Sequence, residues 1–198
     1  VDGHTMGQVP MDDRPIRGVR TYLHAFEENE QYQLIDISHN GYDFMDDPMF
    51  HRRRVVRLSD DIYVIEDRVT GICREDHDIR LYYNFAFGHL DGENGKFDYT
   101  SQKGRGYTMT VQADKKLDFE ILEGSENPIG GWISYDYAWR KPIPQLIAKH
   151  SGKAPIHFIT VLAPEGTKAE TAINGDAAMV TLAGGKVLTL TENAVELH

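Results

Sequence analysis

The sequence predicts an all-β protein, a large antiparallel β-sandwich of about a dozen strands. Two observations carry that expectation. Short runs rich in Val, Ile and aromatic residues recur along the chain, each closed by Gly, Pro, Asn or Asp. No segment shows a long amphipathic helical pattern, so the strand–helix alternation of a βαβ fold is missing. At 198 residues the chain fits one large domain able to bury a substantial core. There is no internal repeat and no low-complexity segment.

Taken in order, Val1 to Pro15 holds Gly3, Gly7, Pro10 and Pro15 and reads as a loop-rich opening segment. Arg20–Glu27 and Gln31–Ser38 read as strands, with Tyr22, His24 and Phe26 on one face of the first. Arg53–Leu58 and Ile62–Val69, joined through Ser59-Asp60-Asp61, read as a β-hairpin. Ile79–Gly88 is a further strand, and Tyr107–Ala113 with Leu117–Glu123 a second hairpin. Gly131–Trp139 reads as one aromatic strand, with Ile133, Tyr135, Tyr137 and Trp139 on one face. Lys141–Gly152, with Pro142 and Pro144, reads as an irregular excursion holding a short helical turn at Gln145–Lys149. Ile156–Leu162 is an apolar strand, and Lys168 to His198 a tail of three short strands that could fold as a small flap.

Composition excludes several classes. Acidic residues number 31 against 21 basic ones, a formal charge of −10, which argues against nucleic acid as a partner because phosphate binding needs a positive footprint. No apolar run approaches the roughly 18 residues that span a bilayer, and the first residues lack the basic-then-apolar pattern of a secretory signal. The single cysteine, Cys73, allows no intramolecular disulfide.

The unusual stretch lies around the central hairpin. His39-Asn40-Gly41-Tyr42 precedes it, His51 is followed by Arg52, Arg53 and Arg54, and the second strand runs into Asp67-Arg68-Val69-Thr70-Gly71. With Val1-Asp2-Gly3 at the start, this pattern resembles the C-terminal β-sandwich domain of the heparinase II/III-like polysaccharide lyases. The resemblance runs from Val1 to Gly88 and continues weakly through Gly131-Trp132-Ile133-Ser134 and Thr160-Val161-Leu162-Ala163-Pro164. In that family Val-Asp-Gly follows a His-Asn-Thr motif, and this chain begins at the valine.

The resemblance implies that residues 1–198 are the C-terminal β domain of a longer lyase that cleaves uronic-acid-containing glycans by β-elimination. Such chemistry needs a neutraliser for the uronate carboxylate, a base for the C5 proton and an acid for the leaving oxygen. In the family most of these groups lie on an α/α-toroid domain and in a stretch upstream of Val1, with a histidine and aspartate metal site. The resemblance therefore implies no catalytic residue, metal ligand or cofactor in this chain, and a zinc-like divalent metal in the complete enzyme. It also implies an upstream α/α-toroid partner domain, an acidic polysaccharide substrate, inactivity of the chain alone, and a secreted or periplasmic location. The alternative is a non-catalytic carbohydrate-binding or structural β-sandwich module.

Four residues are candidates for substrate contact: His51, Arg53, His39 and Tyr42. Guanidinium groups pair bidentately with carboxylates and sulfates, which suits an acidic glycan. On a strand, however, Arg53 and Arg57 share one face and Arg52 and Arg54 the other, so at most half can address one ligand. His24, Asp36, His39 and His51 are metal-ligating types, but their spacing matches no metal signature and Asp36 and His39 fall on opposite faces. Sugar rings stack on aromatic platforms such as the set around Tyr135, though core packing is the commoner cause of such a pattern.

Overall fold

The structure is a computed structural model that describes residues 1–4, 18–58 and 61–198. Most of the opening segment and the tip of the central hairpin, Ser59-Asp60, lie outside the described residues. Strands β1 (Thr21–Glu28), β2 (Tyr32–Tyr42), β3 (Met49–Leu58) and β4 (Tyr63–Gly71) form an antiparallel meander. After β5 (His77–Asn84), strands β6 (Gly88–Glu93), β7 (Lys96–Ser101) and β8 (Gly106–Ala113) form a second one. Then come β9 (Asp118–Glu123) and two small hairpins, β10 (Ser125–Glu126) with β11 (Ile129–Gly130) and β12 (Trp132–Asp136) with β13 (Trp139–Pro142). The chain continues through β14 (Pro144–Gly152) and β15 (Ile156–Pro164). It ends in the tail strands β16 (Ala169–Asn174), β17 (Ala177–Leu182), β18 (Val187–Leu190) and β19 (Val195–Leu197).

β15 lies between β4 and β8 and joins both meanders into one eight-stranded sheet, in the order β1-β2-β3-β4-β15-β8-β7-β6. Its run IHFITVLAP is apolar on both faces because both faces are covered. Ile156 and Phe158 pack with Met49, Val69, Ile79, Leu81 and Leu146, beneath the three-stranded sheet β5-β14-β9. Ile159, Val161 and Ala163 pack with Val56, Val64, Val180, Leu188 and Leu190, beneath the four-stranded tail sheet. The central sheet is thus sandwiched between two smaller ones. The all-β antiparallel class stands, with nineteen strands among the described residues, several only two to four residues long.

Five local expectations are corrected. Tyr107–Ala113 and Leu117–Glu123 do not form a hairpin: β8 pairs with β7 and β15, whereas β9 pairs with β14 in the three-stranded sheet. Lys141–Gly152 holds no helical turn: Pro144 opens β14, a position that tolerates proline, and β14 is the central strand of its sheet. The aromatic run Gly131–Trp139 splits into β12 and β13, with Tyr137 and Ala138 between them. The tail makes four strands instead of three, and it is a layer of the sandwich with its own core contacts. Finally, a bulge between Leu23 and Ala25 shifts the register of β1, so Phe26 leaves the face of Tyr22 and joins that of Leu23.

Charges tie the tail sheet on. Arg54 and Glu66, only 2% and 1% exposed, face each other across β3 and β4 and pair through Arg54 Nε. Glu66 also accepts from Arg68 at 3.0 Å and from His157 at 2.7 Å. Arg54 Nη1 donates to the Ala194 carbonyl at 3.3 Å, Arg52 Nη1 to that of Glu192 at 3.2 Å, and Arg68 to that of Asp176, all on tail-sheet turns. Burial pushes the Glu66 carboxyl up, but the His157 and Arg54 hydrogen bonds and the two arginine charges outweigh it and hold it at about 2. With its folded pKa below the ordinary 4.5, Glu66 contributes stability that is full above 4.5 and lost as pH falls towards about 2.

Removing one member of such a buried network costs about 3–5 kcal/mol. Arg54→Met is therefore expected to lower the unfolding free energy by that amount, read as a fall in the denaturant midpoint, and limited proteolysis should cut first within residues 168–198. Unchanged stability and protease resistance would show that the tail sheet is held by its apolar contacts alone.

Candidate functional site

The face of β3 opposite Arg54 carries His51 and Arg53, two residues apart. Strand register brings His39 of β2 opposite His51, and Asp67 of β4 opposite Arg53. Tyr42 follows β2's register shift, with its ring 5.8 Å from that of His39. The structure thus collects all four candidates, His39, Tyr42, His51 and Arg53, on one face near one end of the sheet. It adds three residues that sequence reasoning did not propose for the site: Asp67, Tyr83 and Thr160.

Asp67 is fully buried and organises the group. It accepts from Arg53 Nε at 2.7 Å and Nη2 at 3.1 Å, and from His51 Nε2 at 2.6 Å. Burial raises its carboxyl pKa, but the His51 hydrogen bond and the Arg53 charge prevail and hold it below the usual carboxylate range. The bonds then define the tautomers. His51 Nε2–H donates to Asp67, so in a neutral ring Nδ1 accepts, at 3.1 Å, from His39 Nε2–H. His39 Nδ1 in turn accepts the Gly41 N–H at 3.1 Å. The chain Gly41–His39–His51–Asp67 runs in one direction and uses every imidazole nitrogen in it.

Tyr83 reaches down from β5 and shares a 2.8 Å hydrogen bond with Thr160 of β15. Burial, and then the Asp67 charge, push its phenol well above its ordinary value, so it stays protonated. Among the described residues Arg53 Nη1 has no hydrogen-bond partner, and the side chain is about a third exposed. That nitrogen is the donor the group can offer outward. On the same face, β1 and β2 carry exposed Leu23 and Phe26 beside Ile35 and Ile37, because no strand of the three-stranded sheet covers them.

The remaining candidates separate. Arg52 binds Asp36 bidentately at 2.8 and 2.6 Å on the opposite face, where His24 bonds Ser38 at 2.7 Å. Arg57 pairs with Asp61 at 3.1 Å. His24 and Asp36 thus lie across the sheet from His39 and His51, and among the described residues no three His, Cys, Asp or Glu side chains are arranged to hold a metal ion. The Val1-Asp2-Gly3 motif has a structural role. Asp2 accepts from His77 Nδ1 at 2.7 Å and from the Asp78 N–H at 2.6 Å, pinning the chain's start to β5. His77 also reaches Asp47 at 3.2 Å, and these carboxylates outweigh burial and raise the imidazole pKa.

The family model of the heparinase II/III-like C-terminal region matches residues 4–174, and the chain belongs to that family. None of the curated proteins matches it in sequence. Solved structures share the fold at low identity. The heparan sulfate lyase HepC from Pedobacter heparinus superposes with a TM-score of 0.67 at 12% identity, over 90% of this chain and 28% of that one. The heparinase III BT4657 gene product gives 0.65 at 13% identity, over 92% and 29%. A further heparinase III gives 0.63 at 14% identity, over 90% and 27%. The chain therefore spans less than a third of the length of the proteins it resembles. Among the described residues no helix is long and apolar enough to cross a membrane.

Burial, and then the charges of His51 and Arg53, lower the His39 imidazole from 6.5 to about 4. The folded pKa lies below the unfolded one, so the unfolded chain takes up the proton first. The contribution of His39 to stability is full above 6.5 and is lost as pH falls towards about 4. Imidazole proton shifts in an NMR titration should place the His39 midpoint near 4, and His51→Gln should move it up. A wild-type midpoint at the ordinary histidine value would contradict the hydrogen-bonded chain described above.

Proposed function

We propose that this chain is the C-terminal β domain of a polysaccharide lyase that cleaves uronic-acid-containing glycans by β-elimination. In this reading it packs on an upstream α/α-toroid through the open face of β1 and β2, and Arg53 lies at the edge of the cleft between them. The observation that carries the reading is the position of Arg53, an anchored guanidinium with one nitrogen unpartnered among the described residues, beside the exposed apolar Leu23 and Phe26. Asp67 fixes its orientation, and Nη1 is left to pair with a substrate carboxylate.

The reading assigns no acid or base to this chain. His39 and His51 have both ring nitrogens engaged with each other, Gly41 and Asp67, and Tyr83 is held protonated and bonded to Thr160. His51 and His39 are thus positioning residues for Arg53 through Asp67, and Tyr42 closes the group against the core. The acid, the base and the zinc-like divalent metal of the complete enzyme belong to the upstream part, and the chain alone is inactive. The working location is secreted or periplasmic, where such polymers are encountered.

Absorbance of the unsaturated uronate product tests the reading. The full-length protein should release it from at least one uronate glycan, and the isolated chain should release none. Arg53→Lys keeps the charge but loses the fork, and should raise KM about tenfold with kcat little changed, the ~1.5 kcal/mol of one charge-assisted hydrogen bond. Activity from the isolated chain, or Arg53→Lys kinetics identical to wild type in an active enzyme, would overturn it.

A further inference from the structure

The β12–β13 hairpin stands apart from both cores. Two of its aromatic side chains, Tyr135 at 68% and Tyr137 at 97% exposure, are open to solvent where the sequence pattern favoured core packing. Exposed aromatic rings are costly to leave in water, and a group of them marks an interaction site. The Tyr135 and Trp139 rings lie 5.6 Å apart with planes inclined by 33°, and Phe87, just before β6, adds a third ring 6.4 Å from Tyr135. Tyr135 and Trp139 form a shallow platform, and Phe87, inclined by 64° to Tyr135, stands edge-on at its rim.

Two cations flank the hairpin, and they differ in availability. Arg140 sits 4.1 Å over the Trp132 ring and pairs with Glu126 at 2.6 Å, so it braces the hairpin base. Lys141 holds its ammonium 5.3 Å from the Trp139 centroid and 5.9 Å from that of Phe87, and among the described residues no carboxylate pairs with it. A cation thus lies at the edge of the platform with no anion beside it among the described residues.

The hairpin is also held in shape. Ser134 Oγ directs its single proton at the Trp139 carbonyl, 2.6 Å away, with the Asp136 carbonyl also within reach at 2.9 Å, and Trp132 Nε1 donates to the Ser125 carbonyl at 2.9 Å. At its root Gly131 has φ of +70°, and its carbonyl accepts from both Gly124 and Ile143 at 2.9 Å. A Cβ there would meet the backbone of Leu122 and Glu123 at 2.7 Å, so only glycine fits. Rings fixed in advance lose little conformational freedom on binding.

We propose that Phe87, Tyr135, Trp139 and Lys141 form a carbohydrate-binding platform distinct from the Arg53 group, on which the rings stack sugar faces of an acidic glycan while Lys141 pairs with its carboxylate or sulfate. Apolar C–H faces of pyranoses suit flat aromatic surfaces, and the single unpaired ammonium selects an anionic sugar. The platform rests on the lyase reading only for the expectation that such a glycan is the protein's partner. It would hold polymer on this domain and raise its local concentration there.

Calorimetric titration of the full-length protein with alginate, heparan sulfate and cellulose tetrasaccharides tests this, with Trp139 fluorescence as a second readout. At least one acidic tetrasaccharide should bind and perturb that fluorescence. Tyr135→Ala and Trp139→Ala should each weaken it tenfold or more. Lys141→Gln should weaken acidic binding and flatten its salt dependence. The platform lies outside both cores, so melting curves of these variants should match wild type. No acidic binding, preference for the neutral sugar, or wild-type affinity in Tyr135→Ala and Trp139→Ala would overturn the platform. So would a change of oligomeric state in those variants, which would assign the surface to self-association. Product release tests the lyase reading separately: platform binding without unsaturated product leaves the platform standing and sinks the lyase, and the reverse result sinks the platform alone.

Discussion

The register of β3 against β4 is the constraint on which the rest depends. It sets Arg53 opposite Asp67 on one face and, one residue along, Arg54 opposite Glu66 on the other. The first pair anchors the candidate site, and the second anchors the tail sheet. Two adjacent arginines therefore serve two different layers, because strand side chains alternate. The Arg52-Arg53-Arg54 run looks like one basic patch in sequence, yet no two neighbours in it address the same surface.

Covering both faces of β15 follows from the same geometry. The site lies where cover changes: β5 and its sheet roof the β4, β15 and β8 side of the face, and the β1 and β2 side is left open. A buried carboxylate at this boundary, Asp67, can be held charged by groups that are themselves partly wet. Arg53 and His51 do this from the open side, and Tyr83 closes the group from the roofed side without contributing charge.

Much of the architecture was legible in the sequence because it rests on local signals. The strands of the central hairpin and the face assignments of Arg52, Arg53, Arg54 and Arg57 followed from period-two alternation. The same hairpin, with Leu58 and Ile62 flanking its turn, already implied Asp67 opposite Arg53. Other features were not accessible this way. β14 is a strand because β5 and β9 pair with it on either side, and nothing within Pro142–Gly152 announces those partners. The β1 bulge that turns Phe26 towards the open face leaves no clear mark in RTYLHAFE. The aromatic hairpin fails as a sequence reading for a further reason: alternation cannot distinguish a ring facing a core from one facing water.

The buried charges raise the question of why an apolar interface was not used, since well-packed hydrophobic groups often match or exceed a buried ion pair in stability. Register offers an answer. Both faces of β3 and β4 also carry β-branched residues, Val55 and Val56 against Ile65 and Val64, which would pack almost as well after a two-residue slip. In one direction such a slip sets Arg54 opposite Arg68 and leaves Asp67 facing Val55. In the other it sets Arg54 opposite Val64 and Arg53 opposite Ile65. Each leaves at least one buried charge without its partner, a penalty of several kcal/mol that aliphatic packing alone could not impose. The ion pairs thus contribute more to selecting one alignment than to the depth of the folded state, and that alignment is what places Arg53 at the open edge of the sheet.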